Sequence, residues 1–300
     1  MTSDGTVAKY RAATRPVPSP TEPLPPLSCD CHFHALGDPA RFPQTHSHSG
    51  YGLAYAPLDD LLRVHRALGI ERGVMVQPSG YGNDHTYLLH ALAEAPKGRY
   101  RATALIDDSV DDRELQRLHD AGVRGSRVIL FGWSEFKPGP AELDRLVDRI
   151  RAMGWYLKVF LGSESMPDYH EALKRITSVP VVLDHMCRVM AADGMDHPAF
   201  RMTLDLVRRD NVWMILSNGY HFSTQKTGWT DVAAMGRRFY DAAPDRCLWG
   251  SDWPHPRDEH EGHGPTEAEA LALLNRYLPD AAARRKVLVD NPARLHGFED

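Results

Sequence analysis

The chain has little of what would place it in a membrane, in a secretory pathway or on nucleic acid. Among its 300 residues no apolar run approaches the length of a membrane span, and the N-terminus has no apolar signal core. Four cysteines are too few for a disulfide scaffold. The formal net charge of -5 gives no electrostatic support to a nucleic-acid or anionic-membrane partner. We therefore expect a cytoplasmic protein with reduced thiols; the composition leaves open whether it forms a homo-oligomer.

A glycine-rich phosphate loop is also missing after the apolar runs, which argues against a nucleotide-binding Rossmann fold. What the chain does contain is an alternation of short apolar runs, rich in β-branched residues, with amphipathic stretches of helical period. The apolar runs lie at 28–34, 72–77, 101–107, 122–130, 155–161, 179–185, 211–217 and 246–252, and the helical patterns at 57–68, 84–95, 111–122, 140–153, 168–177, 196–209, 229–242 and 266–278. Eight such units in succession predict an α/β protein, a single-domain (β/α)8 TIM barrel.

The first 27 residues differ from the rest. They include the segment "RPVPSPTEPLPP", in which six prolines fix φ and remove backbone donors. This composition predicts an extended or mobile arm at 1–27, followed by the barrel at 28–300.

The first apolar run contains "CDCHFH", residues 29–34, with cysteines at 29 and 31 and histidines at 32 and 34. Strand alternation puts His32 and His34 on one face with Asp30, and the two cysteines with Phe33 on the other. We expect the histidines to face the barrel lumen at the carboxyl end of the strand, where barrel enzymes place their chemistry. The cysteines are then expected to face the helices as small buried apolar groups, so that they do not share a zinc ion with the histidines.

Other strand ends carry polar groups that point to the same rim. His185 ends the sixth run in "VVLDHM", and Asp252 ends the eighth in "LWGSDWPHP". The fourth run contains Arg124 and Arg127, only one of which can reach the lumen. Together with the first-strand pair, three imidazoles and one carboxylate can hold one divalent metal, zinc or manganese, with a water. The same groups can also work without metal, with the imidazoles polarising a carbonyl and the carboxylate taking a proton from water.

The chain resembles the amidohydrolase superfamily, and within it the branch that contains 2-pyrone-4,6-dicarboxylate lactonase. The motifs that carry the resemblance are "DCHFH", "VQPSGYGND", "ELQRLHDAGVRGSR", "VVLDHMCR", "LWGSDWPHP" and "LVDNPARL", which span residues 30–295. The resemblance implies a hydrolase that opens a small carboxylated lactone. It implies Asp252 as the general base on water, and His32, His34 and His185 as the groups that polarise the carbonyl, directly or through one divalent metal.

The same resemblance implies substrate-binding roles for Tyr55, Ser79 and Arg127, and it selects Arg127 over Arg124. Three further candidate positions depart from the lactonase pattern. A second arginine is replaced by Trp133 or a neighbour, an arginine after the seventh run by Tyr220 or His221, and a tyrosine after the fifth run by Phe160. With two positive charges fewer, a dianionic substrate would leave one carboxylate poorly paired. We therefore expect a substrate with fewer carboxylates and more apolar surface.

The alternatives differ in chemistry. A metal-dependent decarboxylase of an unsaturated or aromatic acid would use similar residues, with His221 as an additional acid–base group. A binding protein on a barrel scaffold would need the histidine–aspartate set to be inactive. Lys158 is interpreted as a buried or paired structural lysine rather than as a carbamate that bridges two metals.

Overall fold

A computed structural model describes residues 10–11, 20, 22–45, 54–131, 137–255 and 265–299. Within these residues eight strands form one sheet, and each lies in its predicted apolar run or within one residue of it. The strands are β1 Cys29–Phe33, β2 Arg72–Val76, β3 Tyr100–Leu105, β4 Val123–Ile129, β5 Tyr156–Phe160, β6 Val181–Leu183, β7 Val212–Ile215 and β8 Cys247–Leu248.

The sheet runs from β1 to β8 in chain order, and every neighbouring pair is parallel. Backbone hydrogen bonds join the two ends: Cys31 N donates to Trp249 O at 2.9 Å, and Asp252 N donates to His32 O at 2.8 Å. The sheet therefore closes on itself, and the predicted (β/α)8 barrel is confirmed.

In the described part of the chain, one helix of nine or more residues follows each strand. The helices are α1 Leu58–Leu68, α2 Thr86–Glu94, α3 Asp112–Ala121, α4 Pro140–Ala152, α5 Met166–Arg175, α6 Pro198–Val207, α7 Ala233–Ala242 and α8 Glu267–Tyr277. Their ends follow from capping chemistry: the Asp111 side chain accepts from Glu114 N at the start of α3, and Gly122 ends it at φ 109°. None of the described helices combines the length and apolarity that a membrane span requires.

Strand β1 does not alternate as a regular strand would. Its register with β2 shifts between Asp30 and Phe33, where three residues of β1 face two of β2. This bulge reverses the alternation. Cys29 and Cys31 pack in the inner apolar cluster with the lumen-facing residues of the other strands, whereas the Asp30 carboxylate turns outward to α1, with Oδ2 3.3 Å from Nε2 of His65. The predicted direction of the cysteines was therefore wrong, and so was that of Asp30.

Phe33 faces the helices, as predicted, and its ring lies 5.5 Å from the ring of His65 on α1. The lumen is closed at the opposite end by Phe298, which belongs to the inner cluster and stacks 5.3 Å from the Arg72 guanidinium. Phe298 follows three short helical segments, Ala281–Arg285, Lys286–Asp290 and Asn291–His296. The barrel interior is thus filled by side chains, and the carboxyl ends of the strands are left for the site.

The described part of the N-terminal arm contacts the rest of the chain at several places. Tyr10–Arg11 pairs in parallel with Ala54–Tyr55, and Leu24 and Leu27 pack against the outer apolar layer. Residues 1–9, 12–19 and 21 lie outside the described residues, so the boundary between an arm at 1–27 and the barrel at 28–300 stays a prediction.

Candidate active site

Four predicted residues meet at the carboxyl end of the barrel, and we call them the histidine–aspartate cluster: His32, His34, His185 and Asp252. Nε2 of His32 lies 3.3 Å from Nε2 of His34, and each of these nitrogens is 3.4 Å from Oδ1 of Asp252. Nε2 of His185 is 3.8 Å from the same oxygen. Four ring and carboxylate atoms from three distant segments thus point at one place.

The barrel seam brings the carboxylate to the histidines. The bond from Asp252 N to His32 O and a second bond from His34 N to Trp253 O, each 2.8 Å, lay the end of β8 along β1. Beyond β6 and β8, His185 and Asp252 both have left-handed backbone, with φ of 48° and 61°. Non-glycine residues rarely adopt this conformation, and where they do the strain is often part of a functional site.

Each histidine of the cluster is also held through its other ring nitrogen. Nδ1 of His34 donates to Val76 O at 2.7 Å, and Nδ1 of His32 bonds to Oδ1 of Asp184 at 3.1 Å. Nδ1 of His185 lies 2.7 Å from Ser217 Oγ. Partners of this kind fix the tautomer and orientation of histidines that bind metals or react.

The protonation states follow from burial and from the neighbouring charges. Burial lowers the pKa of His32 well below its usual value and lowers the pKa of His185 to about 4. Burial alone would raise the pKa of Asp252, but His185, His34 and His32 hold the pKa of this carboxyl well below the usual range. At neutral pH the cluster therefore combines neutral imidazoles at His32 and His185 with an ionised carboxylate.

These states leave an excess of lone pairs in the cluster. A carbonyl and a carboxylate only accept hydrogen bonds, so His34 and His32 each carry a proton on Nδ1. Nε2 of the neutral His32 ring is therefore bare, and it faces Nε2 of His34. Both face a carboxylate oxygen as well. The spacing of 3.3–3.4 Å between these atoms equals the ligand spacing of about 3.3–3.4 Å around a tetrahedral ion with bonds of about 2.0–2.1 Å. The donor set thus fits one divalent cation.

His185 completes the candidate metal centre. One ligand atom each from His32, His185 and Asp252 lies within 4.8 Å of the other two. Nitrogen and carboxylate ligands of this kind suit zinc and also manganese. The side chain of Asp252 remains 20% exposed, which gives solvent access to this otherwise buried site.

Asp184 links the cluster to two positively charged side chains, Lys158 and Arg127. Its Oδ1 accepts from Lys158 Nζ at 2.9 Å as well as from His32, and Arg127 Nε lies 3.6 Å from its Oδ2. Burial alone would raise the pKa of Asp184, but Lys158 and His32 hold it well below the usual carboxyl range. Lys158 is therefore a paired structural lysine, as predicted.

Two of the predicted substrate-binding residues lie against the cluster. The Phe160 ring, at the end of β5, is 5.5 Å from the ring of His185, and the Arg127 guanidinium stacks 4.9 Å from the Phe160 ring centre. Arg124 points the other way, since its Nη1 donates to His119 O on α3 at 2.8 Å. Of the two arginines, Arg127 is the one on the site side.

Ser79 and Tyr55 each lie between a barrel strand and the helix that follows it. Ser79 is buried in the turn Ser79–Tyr81, which follows β2. Tyr55 belongs to the strand pair with the N-terminal arm and precedes Ala56, which pairs with Leu36 just beyond β1.

The remaining candidates follow β7 or fall outside the described residues. Tyr220 and His221 occupy the one-turn helix Gly219–Phe222, with their rings 4.3 Å apart. The Tyr220 hydroxyl is hydrogen-bonded to Nδ1 of His255 at 3.0 Å, and His221 is exposed. Trp133 lies outside the described residues.

Comparison with known proteins agrees with this geometry. The family model for amidohydrolases matches residues 29–298, nearly the whole barrel. The chain belongs to the amidohydrolase family. It is therefore an enzyme of the amidohydrolase superfamily, as the motifs predicted.

This amidohydrolase is similar to proteins of one branch. It is 32% identical to a 4-sulfomuconolactone hydrolase of Hydrogenophaga intermedia over 91% of this chain and 90% of that protein. It is 31% identical to a 2-pyrone-4,6-dicarboxylate hydrolase of Comamonas testosteroni over 94% and 95%. An apo crystal structure from Agrobacterium tumefaciens superimposes with a TM-score of 0.81 at 27% identity, covering 93% and 99% of the two chains. The predicted branch is confirmed.

Sequence reasoning missed three residues that hold the cluster of this amidohydrolase. Asp184 and Ser217 orient His32 and His185, and Asn218 donates from Nδ2 to Oδ2 of Asp252 at 2.6 Å. A signal for the last was present: "SNG" follows an apolar run, and asparagine before glycine is typical of a left-handed turn. Asp184 directly precedes His185, and from the sequence it looks like an ordinary polar residue at the end of a strand. Only the structure shows that it contacts His32.

Proposed function

We propose that this amidohydrolase opens the ring of a small carboxylated lactone by hydrolysis. The convergence of three imidazoles and one ionised carboxylate at a solvent-accessible point carries the proposal. The names of the curated relatives, which are hydrolases of a sulfomuconolactone and a pyrone dicarboxylate, support a cyclic ester as the substrate class.

In the proposed reaction, Oδ1 of Asp252 accepts a proton from the water that attacks the lactone carbonyl carbon. The tetrahedral intermediate collapses with cleavage of the ring C–O bond. The proton then passes from Asp252 to the departing ring oxygen, which gives an open-chain hydroxy acid. The low pKa of Asp252 keeps the carboxylate unprotonated and ready to accept at neutral pH.

The carbonyl oxygen needs a positive partner during attack. Direct polarisation by a neutral His32 or His34 ring would require the proton on Nε2, whereas the partners of Nδ1 place it on Nδ1. The hydroxyl partner of His185 does not fix its proton in this way. We propose that the histidine–aspartate cluster holds one divalent cation, zinc or manganese. When bound, such a cation supplies the charge that polarises the carbonyl.

Substrate recognition is assigned to the surrounding residues. Arg127 pairs with the substrate carboxylate, because its planar fork makes two parallel bonds to such a group. Phe160 packs against the ring, and further substrate contacts are assigned to Tyr55, Ser79, Tyr220 and His221. Trp133 is assigned a contact from its sequence position alone. The aromatic side chains favour a substrate with more apolar surface than a dicarboxylate.

A panel of carboxylated lactones tests the proposal. We expect ring opening with release of one proton, about one equivalent of metal in the purified protein, and at least about 100-fold lower turnover after chelation. Added zinc or manganese should restore activity. The measurements are pH-stat rates and elemental analysis.

Two results would count against this assignment. Full turnover in metal-free protein would refute the cation. Release of carbon dioxide from an unsaturated or aromatic acid, with no lactone opened, would make the enzyme a decarboxylase.

Replacing Arg127 by lysine tests the carboxylate contact. Lysine keeps the charge but loses the bidentate fork, so kcat/KM for a carboxylated lactone should fall by about 10–100-fold. The methyl ester of the same lactone should be affected far less. Arg124→Lys is the matched control, because Arg124 lies on the same strand but faces α3. Equal losses for acid and ester would remove Arg127 from substrate binding.

A further inference from the structure

Asn218 stands at the point where β7 reaches the histidine–aspartate cluster. It directly follows Ser217, which is bonded to His185, and its backbone is left-handed with φ 57°. The residue is only 9% exposed. A buried, strained asparagine beside the proposed base calls for a functional explanation.

The orientation of the Asn218 amide is fixed by chemistry. A carboxylate can only accept, so the amide atom 2.6 Å from Oδ2 of Asp252 must be the Nδ2 donor. Oδ1 of Asn218 therefore points away from this contact. Among the described residues it is a buried acceptor with no hydrogen-bond partner. Leaving such an atom unpaired carries the desolvation penalty of a buried acceptor, so a donor from bound water or substrate is expected there.

The contact with Asn218 also gives the two carboxylate oxygens of Asp252 different partners. With Oδ2 engaged by Asn218, Oδ1 is the oxygen turned to His32 and His34, at 3.4 Å from each. Without the amide, the carboxylate could rotate about its terminal bond, and neither oxygen would be held in place.

We propose that Asn218 is a positioning residue for hydrolysis: its Nδ2 locks Asp252 with Oδ1 toward the cluster, and its own Oδ1 accepts a hydrogen from the attacking water. This inference rests on the proposed lactone hydrolysis and on the proposed cation site. Val76, Asp184 and Ser217 hold the three histidines of the cluster. Asn218 plays the corresponding role for Asp252.

Asn218→Gly tests the inference, because glycine adopts a positive φ without strain and removes only the amide. We expect kcat to fall by about 10–100-fold, KM to change by less than about 3-fold, and zinc affinity to fall by about 10–100-fold. Zinc affinity is measured by competition with a chromophoric chelator, and folding by thermal melting. The control is Asn83→Gly, an exposed asparagine whose amide also donates to a carboxylate, that of Asp107.

The outcomes separate this inference from the assignment of function. An Asn218→Gly protein that matches Asn83→Gly in both kcat and zinc affinity overturns the inference, as does a loss confined to KM, which would indicate a substrate contact. If the wild-type protein opens no lactone, the proposed function fails while the zinc titration still decides the role of Asn218. Should the glycine variant not fold, Asn218→Leu keeps the approximate side-chain shape, withdraws the donor from Asp252 without adding a charge, and answers to the same criteria.

Discussion

Asp252→Asn should lower kcat by about 10²–10⁴-fold, the usual contribution of a positioned general base. The amide has almost the same shape as the carboxylate, but it cannot accept the proton of the attacking water. Steady-state hydrolysis of the best lactone in the panel measures the effect. Substrate binding should persist, because the residues assigned to the carboxylate and ring are untouched.

The matched control is Asp241→Asn. Asp241 is an exposed carboxylate on α7 that pairs with Arg237, far from any proposed role, so its loss should leave turnover unchanged. Thermal melting of both variants separates a lost base from a lost fold. Wild-type turnover in a folded Asp252→Asn protein would reject the mechanism.

Lys158→Met should destabilise the protein by about 3–5 kcal/mol, the usual effect of leaving one charge of a buried pair without its partner. Lys158 and Asp184 are both buried, and Nζ lies 2.9 Å from Oδ1. Removal of the ammonium leaves an ionised carboxylate in the barrel with His32 and Arg127 as its remaining partners. Urea denaturation, compared at equal m-values, gives the change in the free energy of unfolding.

Lys174→Met serves as the comparison for that variant. Lys174 forms a surface pair with Glu171 at 3.2 Å, and exposed pairs contribute about 0.2–1 kcal/mol. If Lys158→Met were no more harmful than Lys174→Met, the pair behind His32 would not be structurally important. Activity should also fall in Lys158→Met, because Asp184 is the group that orients His32.

The repeated pattern of the chain was enough to predict the barrel. Each strand is short, apolar and flanked by polar turns, so local composition and the alternation with helices identify it. The direction of Cys29 and Cys31 was not predictable in the same way. It depends on one extra residue in β1 relative to β2, and only the pairing of the two strands reveals such a bulge.

The candidate site was predictable in part for a related reason. His32, His34, His185 and Asp252 stand out because ionisable residues at the ends of apolar strands are unusual. Their mutual distances depend on backbone bonds across the barrel seam, over more than 200 residues of intervening chain. Asn218 looked like an ordinary turn residue, because its importance lies in a contact with Asp252.

The seam between β8 and β1 has a consequence for how activity and folding are related. The bonds from Asp252 N to His32 O and from His34 N to Trp253 O both close the sheet and dock the proposed base. A barrel opened between β8 and β1, with its other seven strand pairs intact, would therefore be inactive. Turnover would thus report on closure of this junction, and denaturant that loosened the junction alone would abolish activity while most of the secondary structure remained.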